Sequence, residues 1–134
     1  MKRLLVALIA ATTLIPMPAL AHHEQPMTVE DYVQTVKQDL AFNNASWQPS
    51  DTSIKADSLS VCQALDEGVD SDRLVGAVMY IDPAKTEQVN RNARVIWATI
   101  LDRSTQYLCS AHRTKVLTSL ENVGYRIYMP AEDR

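Results

Sequence analysis

Histidine and cysteine are the side chains in this sequence with the strongest intrinsic chemistry, and their positions limit what they can do. His22 and His23 are adjacent, whereas His112 lies far downstream. A chain cleaved after Ala21 would carry His22 at its N-terminus. There the free amine and imidazole together chelate Cu(II), with His23 or His112 as a further nitrogen ligand. Cys62 and Cys109 are separated by 47 positions and lack the C-x-x-C spacing of thiol oxidoreductases. They read as a structural disulfide formed in an oxidising compartment.

Asp66, Glu67, Asp70 and Asp72 form an oxygen-rich cluster of the kind that binds calcium. Gly68 occupies the third position and no glutamate closes the segment, so the twelve-residue calcium loop is not matched. Carboxylates that end one helix and cap the next account for the cluster better. For nucleophilic catalysis the chain offers several serines but only His112 in the region expected to be folded, and no strained nucleophile turn. The expectation is a non-enzyme without a cofactor. Trp47, Tyr125, Tyr128 and Met129 fall in loop or tail sequence, where aromatic and thioether side chains serve as contact points for a partner. Alternatively they cover the domain itself. Trp97 is assigned to the core, and Glu87 with Arg91 reads as a solvated helical pair.

The elements that must position these residues are helical. Thr28 can cap a first helix over about residues 29–41, with Val29, Tyr32, Val33, Val36 and Leu40 on one face. The stretch 43–49 reads as a loop. Ser50 or Asp51 caps a second helix whose Ile54, Ser58, Val61, Cys62 and Leu65 recur at three- and four-residue spacing up to Gly68. Asp70 or Ser71 caps a short third helix carrying Leu74, Val75, Val78 and Met79. A fourth and longest helix is expected from an Asp82 cap, with Pro83 as its first residue. Its face is Val89, Ala93, Ile96, Trp97, Ile100, Tyr107 and Leu108, with Ser104 a polar gap and Cys109 in its last turns. Val116, Leu117, Leu120 and Val123 suit a further short helix ending at Gly124, followed by an extended tail. The fold class is therefore all-α, a small bundle of four to five helices, with one disulfide linking helix two to helix four.

Compartment follows from the first residues. Lys2 and Arg3 precede an apolar run from Leu4 to Ile15, and a Pro-containing stretch closes in Ala19-Leu20-Ala21, which is the pattern of a signal peptide. The run is too short and too interrupted by Pro16 and Pro18 to span a bilayer, so no stable membrane span is expected after cleavage. The domain plan is 1–21 signal peptide, 22–27 mobile tail, 28–111 disulfide-stapled domain and 112–134 C-terminal extension. Of 13 basic residues two leave with the signal, so 11 basic residues, themselves scattered rather than clustered, face 16 acidic ones. Nucleic acid is excluded as a natural partner on that balance.

Val61-Cys62, Leu65 and Gly68, followed by an apolar helix closing on Tyr107-Leu108-Cys109, carry a resemblance. Over about residues 29–111 the chain resembles the small secreted actinobacterial family called domain of unknown function 732, common in mycobacteria and seen in their phages. The family's V-C-x-x-L-x-x-G segment is matched by Val61, Cys62, Leu65 and Gly68; its usual proline after the second cysteine is Ser110 here. The resemblance implies an exported, disulfide-bonded helical bundle and carries over no catalytic residue. The functional expectation is secretion or residence in the cell envelope, with non-enzymatic binding of a protein or envelope component. Copper binding at His22, or carriage of a small apolar ligand between helices, are the alternatives.

Overall fold

A computed structural model of the chain describes residues 27–125; the segment 1–21 read as a signal peptide, together with His22, His23, Tyr128 and Met129, lies outside the described residues. Five α-helices and no strand make up the described part. They are α1 (Val29–Phe42), α2 (Asp51–Asp66), α3 (Ser71–Val78), α4 (Glu87–Tyr107) and α5 (Arg113–Asn122), with a single 3-10 turn at Ser110–His112 before α5.

Local chemistry sets most of the boundaries. The hydroxyls of Thr28, Ser50 and Thr86 and the carboxylate of Asp70 each accept a backbone N–H from the first turn of the helix that follows. Three helices end in the same six-residue reversal, in which the N–H two residues past the cap returns to a carbonyl in the last turn. In α1 this is Ala45 N–H to Leu40 O at 2.9 Å, in α2 Val69 to Ala64 at 2.9 Å, and in α5 Tyr125 to Leu120 at 3.0 Å. The residue each reversal holds in the left-handed region is Asn44 (φ 55°), Gly68 (φ 89°) or Gly124 (φ 74°).

The fourth helix starts later than the Asp82-Pro83 pair suggests. Asp82 instead makes a tight turn: its carboxylate accepts the Ala84 N–H at 2.9 Å and its carbonyl the Lys85 N–H at 3.1 Å. Asn90, in the first turn of α4, clamps that turn by accepting the Asp82 N–H and donating to the Asp82 carbonyl, both at 2.9 Å. Helix α4 also ends before Cys109. The Cys62–Cys109 disulfide, with Cα atoms 5.7 Å apart, therefore ties α2 to the segment just leaving α4.

Helix α4 is the axis of the bundle and packs against α1, α2, α3 and α5. From Ala98 to Thr105 every residue is buried, so the helix has no solvent face there. The apolar core joins Val33, Val36 and Leu40 of α1, Ile54 and Leu65 of α2, Val75 of α3 and Ile100 and Leu101 of α4. Val116 and Leu120 of α5 belong to the same core, which therefore continues past residue 111.

Candidate apolar groove

Where the start of α1, the middle of α2 and the end of α4 converge, the surface opens into a groove of about 290 Å³. Met27, Val29, Leu59 and Leu108 line it and are all exposed, Leu59 by 63%. Among the described residues Val29 and Leu108, assigned from periodicity to core faces, are thus open to solvent, because each sits at a helix end that no described helix covers. The inner end is formed by Tyr32, which is 2% exposed.

The Tyr32 hydroxyl lies 2.7 Å from Ser58 Oγ and 3.1 Å from Ser104 Oγ. Ser58 Oγ donates to the Ile54 carbonyl at 2.6 Å. Having one proton, it must accept from Tyr32, and the Tyr32 oxygen is then left to accept from Ser104. The three hydroxyls form a directed, saturated chain. Burial raises the Tyr32 pKa above its ordinary value, and the two serine hydrogen bonds only partly oppose that shift. The chain closes the base of the groove, and its partners among the described residues are serine hydroxyls and the Ile54 carbonyl.

At the rim, Lys55 is the only charged side chain among the described residues that line the groove. Its ammonium lies 3.6 Å from Glu30 Oε1, and both side chains are substantially exposed. Gln106 also lines the rim, its Oε1 accepting from Arg103 Nη1 at 2.7 Å. The arrangement is apolar, with few polar groups confined to one edge, which is the usual make-up of a small-ligand site. A second hollow of about 270 Å³ between α2, α3 and α4 is lined by Val61, Leu74, Ala77, Val78, Trp97 and Leu101. Trp97 is 37% exposed there rather than enclosed in the core. Helix α3, only eight residues long, is too short to cover it.

Of the sequence-derived contact residues, Trp47 and Tyr125 are among the described residues, whereas Tyr128 and Met129 are not. Trp47 is 56% exposed in the α1–α2 loop, close in sequence to the exposed Phe42. That loop is held by buried Asn92 of α4, whose Oδ1 accepts from the Ser46 N–H and hydroxyl and whose Nδ2 donates to the Trp47 carbonyl at 3.4 Å. Tyr125 is folded back by the reversal after α5 and packs against the core. Burial raises its pKa, with Arg94 and Arg91 opposing.

His112 ties the 3-10 turn to the end of α2, its Nε2 lying 2.7 Å from Asp66 Oδ1. The other acidic residues of that region also have local partners: Glu67 accepts from Gln63 at 2.8 Å, Asp70 caps α3, and Asp72 accepts from Ser119 at 2.5 Å. Among the described residues no three His, Cys, Asp or Glu side chains are grouped to hold a metal, and no helix is long and apolar enough to cross a membrane.

Sequence reasoning missed two features. Leu59 lies off the buried stripe of α2, and an apolar residue outside such a stripe is the one local signal the groove leaves. The fully buried polar run Asp102-Arg103-Ser104-Thr105 leaves none, because periodicity assigns polar residues to a solvent face. Comparison of the chain with protein-family models, with curated proteins and with solved structures finds no match.

Proposed function

We propose that the protein is an exported, non-enzymatic binding module that holds an apolar chain of an envelope component in the α1–α2–α4 groove. The carrying observation is four exposed apolar side chains, Met27, Val29, Leu59 and Leu108, lining one concavity above a buried, hydrogen-bonded tyrosine. Contiguous exposed apolar surface of this kind marks a site of interaction. Export is supported by the signal-like N-terminal sequence and by the disulfide, which oxidising compartments favour. The non-enzymatic reading is supported by the saturated hydroxyl chain at the groove's base. The resemblance to domain of unknown function 732 bears on export and the disulfide-bonded bundle and carries over no ligand.

The test is methyl NMR of the mature protein titrated with dodecyl maltoside below its micelle concentration. Saturable shifts at Val29, Leu59 and Leu108 that vanish in Leu59→Glu are the expected result. Shifts scattered over the surface, or centred on Trp97, would place the site elsewhere.

A second contact surface, for a protein partner, is favoured by one observation. Asn92 fixes the loop backbone on either side of Ser46 while Trp47 stays exposed. A large aromatic side chain held out on an anchored loop loses little entropy on binding. Capture of a partner that is lost with Trp47→Ala would establish this surface; unchanged capture would remove it.

A further inference from the structure

We infer that the groove selects single-chain amphiphiles with an anionic head group, the head pairing with Lys55 at the rim and the chain running inward toward Tyr32; this rests on the groove reading above. Three observations carry it. The deep end offers nothing to a polar head, because the Tyr32 hydroxyl already spends its proton on Ser58 and its acceptor on Ser104. A head group must therefore stay at the rim, since burying it unpaired is costly.

At the rim Lys55 and Gln106 supply donors, while the Thr28 hydroxyl spends its proton on Asp31 Oδ2 at 2.6 Å. Lys55 brings the only charge among the described lining residues, none of which is a carboxylate, although the chain as a whole carries a formal charge of −3. Gln106 has its side-chain oxygen occupied by Arg103, so its amide nitrogen is the end left for a ligand. The Glu30 carboxylate that faces Lys55 is 79% exposed and 3.6 Å away, a loose surface pair that an incoming anion can displace at little cost.

Size sets the number of chains. About 290 Å³ stands at the lower end of small-ligand sites and suits one alkyl chain rather than two. The head chemistry required is one accessible negative charge, which a carboxylate or a phosphate monoester both supply.

The experiment compares dodecanoate, dodecyl phosphate, dodecyltrimethylammonium and dodecyl maltoside, all below their micelle concentrations, by titration calorimetry on the mature, oxidised protein. Dodecanoate or dodecyl phosphate should bind roughly ten-fold more tightly than the trimethylammonium amphiphile. That preference should collapse in Lys55→Gln and persist in Lys115→Gln, which lines a different hollow. It should also shrink as salt rises from about 0.05 M to about 0.5 M. The two anions differing from one another would identify the head chemistry within the proposal. Equal affinity for anionic, cationic and neutral heads would overturn the head-group inference and leave the groove reading intact. No binding of any of the four would overturn both.

Discussion

Arg103 and Asp39, 64 positions apart in the sequence, meet inside the bundle as a forked pair, both Nε and Nη2 of the guanidinium reaching the carboxylate, the latter at 3.0 Å. The arginine side chain is fully buried and the aspartate nearly so. The remaining guanidinium nitrogen reaches Gln106, and the Arg103 carbon lies 5.8 Å from the Tyr107 ring centroid. The pair joins α1 to α4 and, through Gln106, orients a side chain at the rim of the groove.

Breaking that pair on one side should be severe. Arg103→Met leaves the Asp39 carboxylate buried without its partner, and the expected loss is about 3–5 kcal/mol. The double variant Arg103→Met with Asp39→Leu should recover much of it, because two charges no longer have to be desolvated. Urea unfolding of both variants checks this; a double variant no better than the single would mean that shape, not charge, holds the two helices.

Asp102, the neighbouring residue, predicts a dependence on pH. Its carboxylate oxygens are buried without hydrogen-bond partners among the described residues. Arg113 Nη1 stands 3.2 Å from one of them but hydrogen-bonds the Asp102 main-chain carbonyl at 3.1 Å. Burial raises the Asp102 pKa above 3.8, against the pull of Arg113 and then Arg103 and with a smaller upward push from Asp39. A raised folded value means that the fold binds the proton more tightly than the unfolded chain. The associated stability is complete below about pH 3.8 and is lost as pH rises through the folded value. Asp102→Asn should therefore gain melting temperature over the native protein as pH climbs from about 4 to 7. If the native protein gains instead, attraction to Arg113 outweighs burial.

Reducing the Cys62–Cys109 bridge frees a 47-residue separation and should lower stability by about 4 kcal/mol in the chain-entropy treatment. The pair of variants Cys62→Ala and Cys109→Ala, unfolded in urea beside the oxidised protein, measures it. A loss below about 1 kcal/mol would show that the α2–α4 packing alone holds this end together.

Two glycines should respond oppositely to alanine. Gly68, at φ 89°, ends α2 in a conformation that disfavours a Cβ, so Gly68→Ala should cost about 1–2 kcal/mol. Gly76 lies within α3 with nothing within 4 Å of an added Cβ, so Gly76→Ala should stabilise by about 0.5–1 kcal/mol. Thermal melts of both variants decide it, and a shift of the same sign in each would contradict the backbone assignment.

Asn92→Ala should free the Trp47 loop while leaving the helices in place, at a cost of about 1–3 kcal/mol for the unpaired loop groups. Faster amide exchange at Ser46, with helix protection retained, is the expected signature; unchanged exchange would show that the loop is held by something other than Asn92.

The amino-acid sequence by itself determined the helical class, the buried stripe of α2, the cap at Thr28, those of α2 and α3 to within one residue, and the pairing of the only two cysteines, because each is a local or a combinatorial property. Tertiary structure alone decided the rest. Asn90, reaching back to Asp82, shows why the Asp-Pro pair makes a turn rather than a helix start. The reversal after Gly124 lays Tyr125 on the core instead of leaving it in a tail. The groove exists because Val29 of α1, Leu59 of α2 and Leu108 just after α4 converge where no further helix among the described residues covers them. Periodicity reports which face of a helix is apolar. It carries no information on whether another helix arrives to bury that face, nor on whether a polar stretch such as 102–105 will find its partners inside, and those are matters of long-range packing.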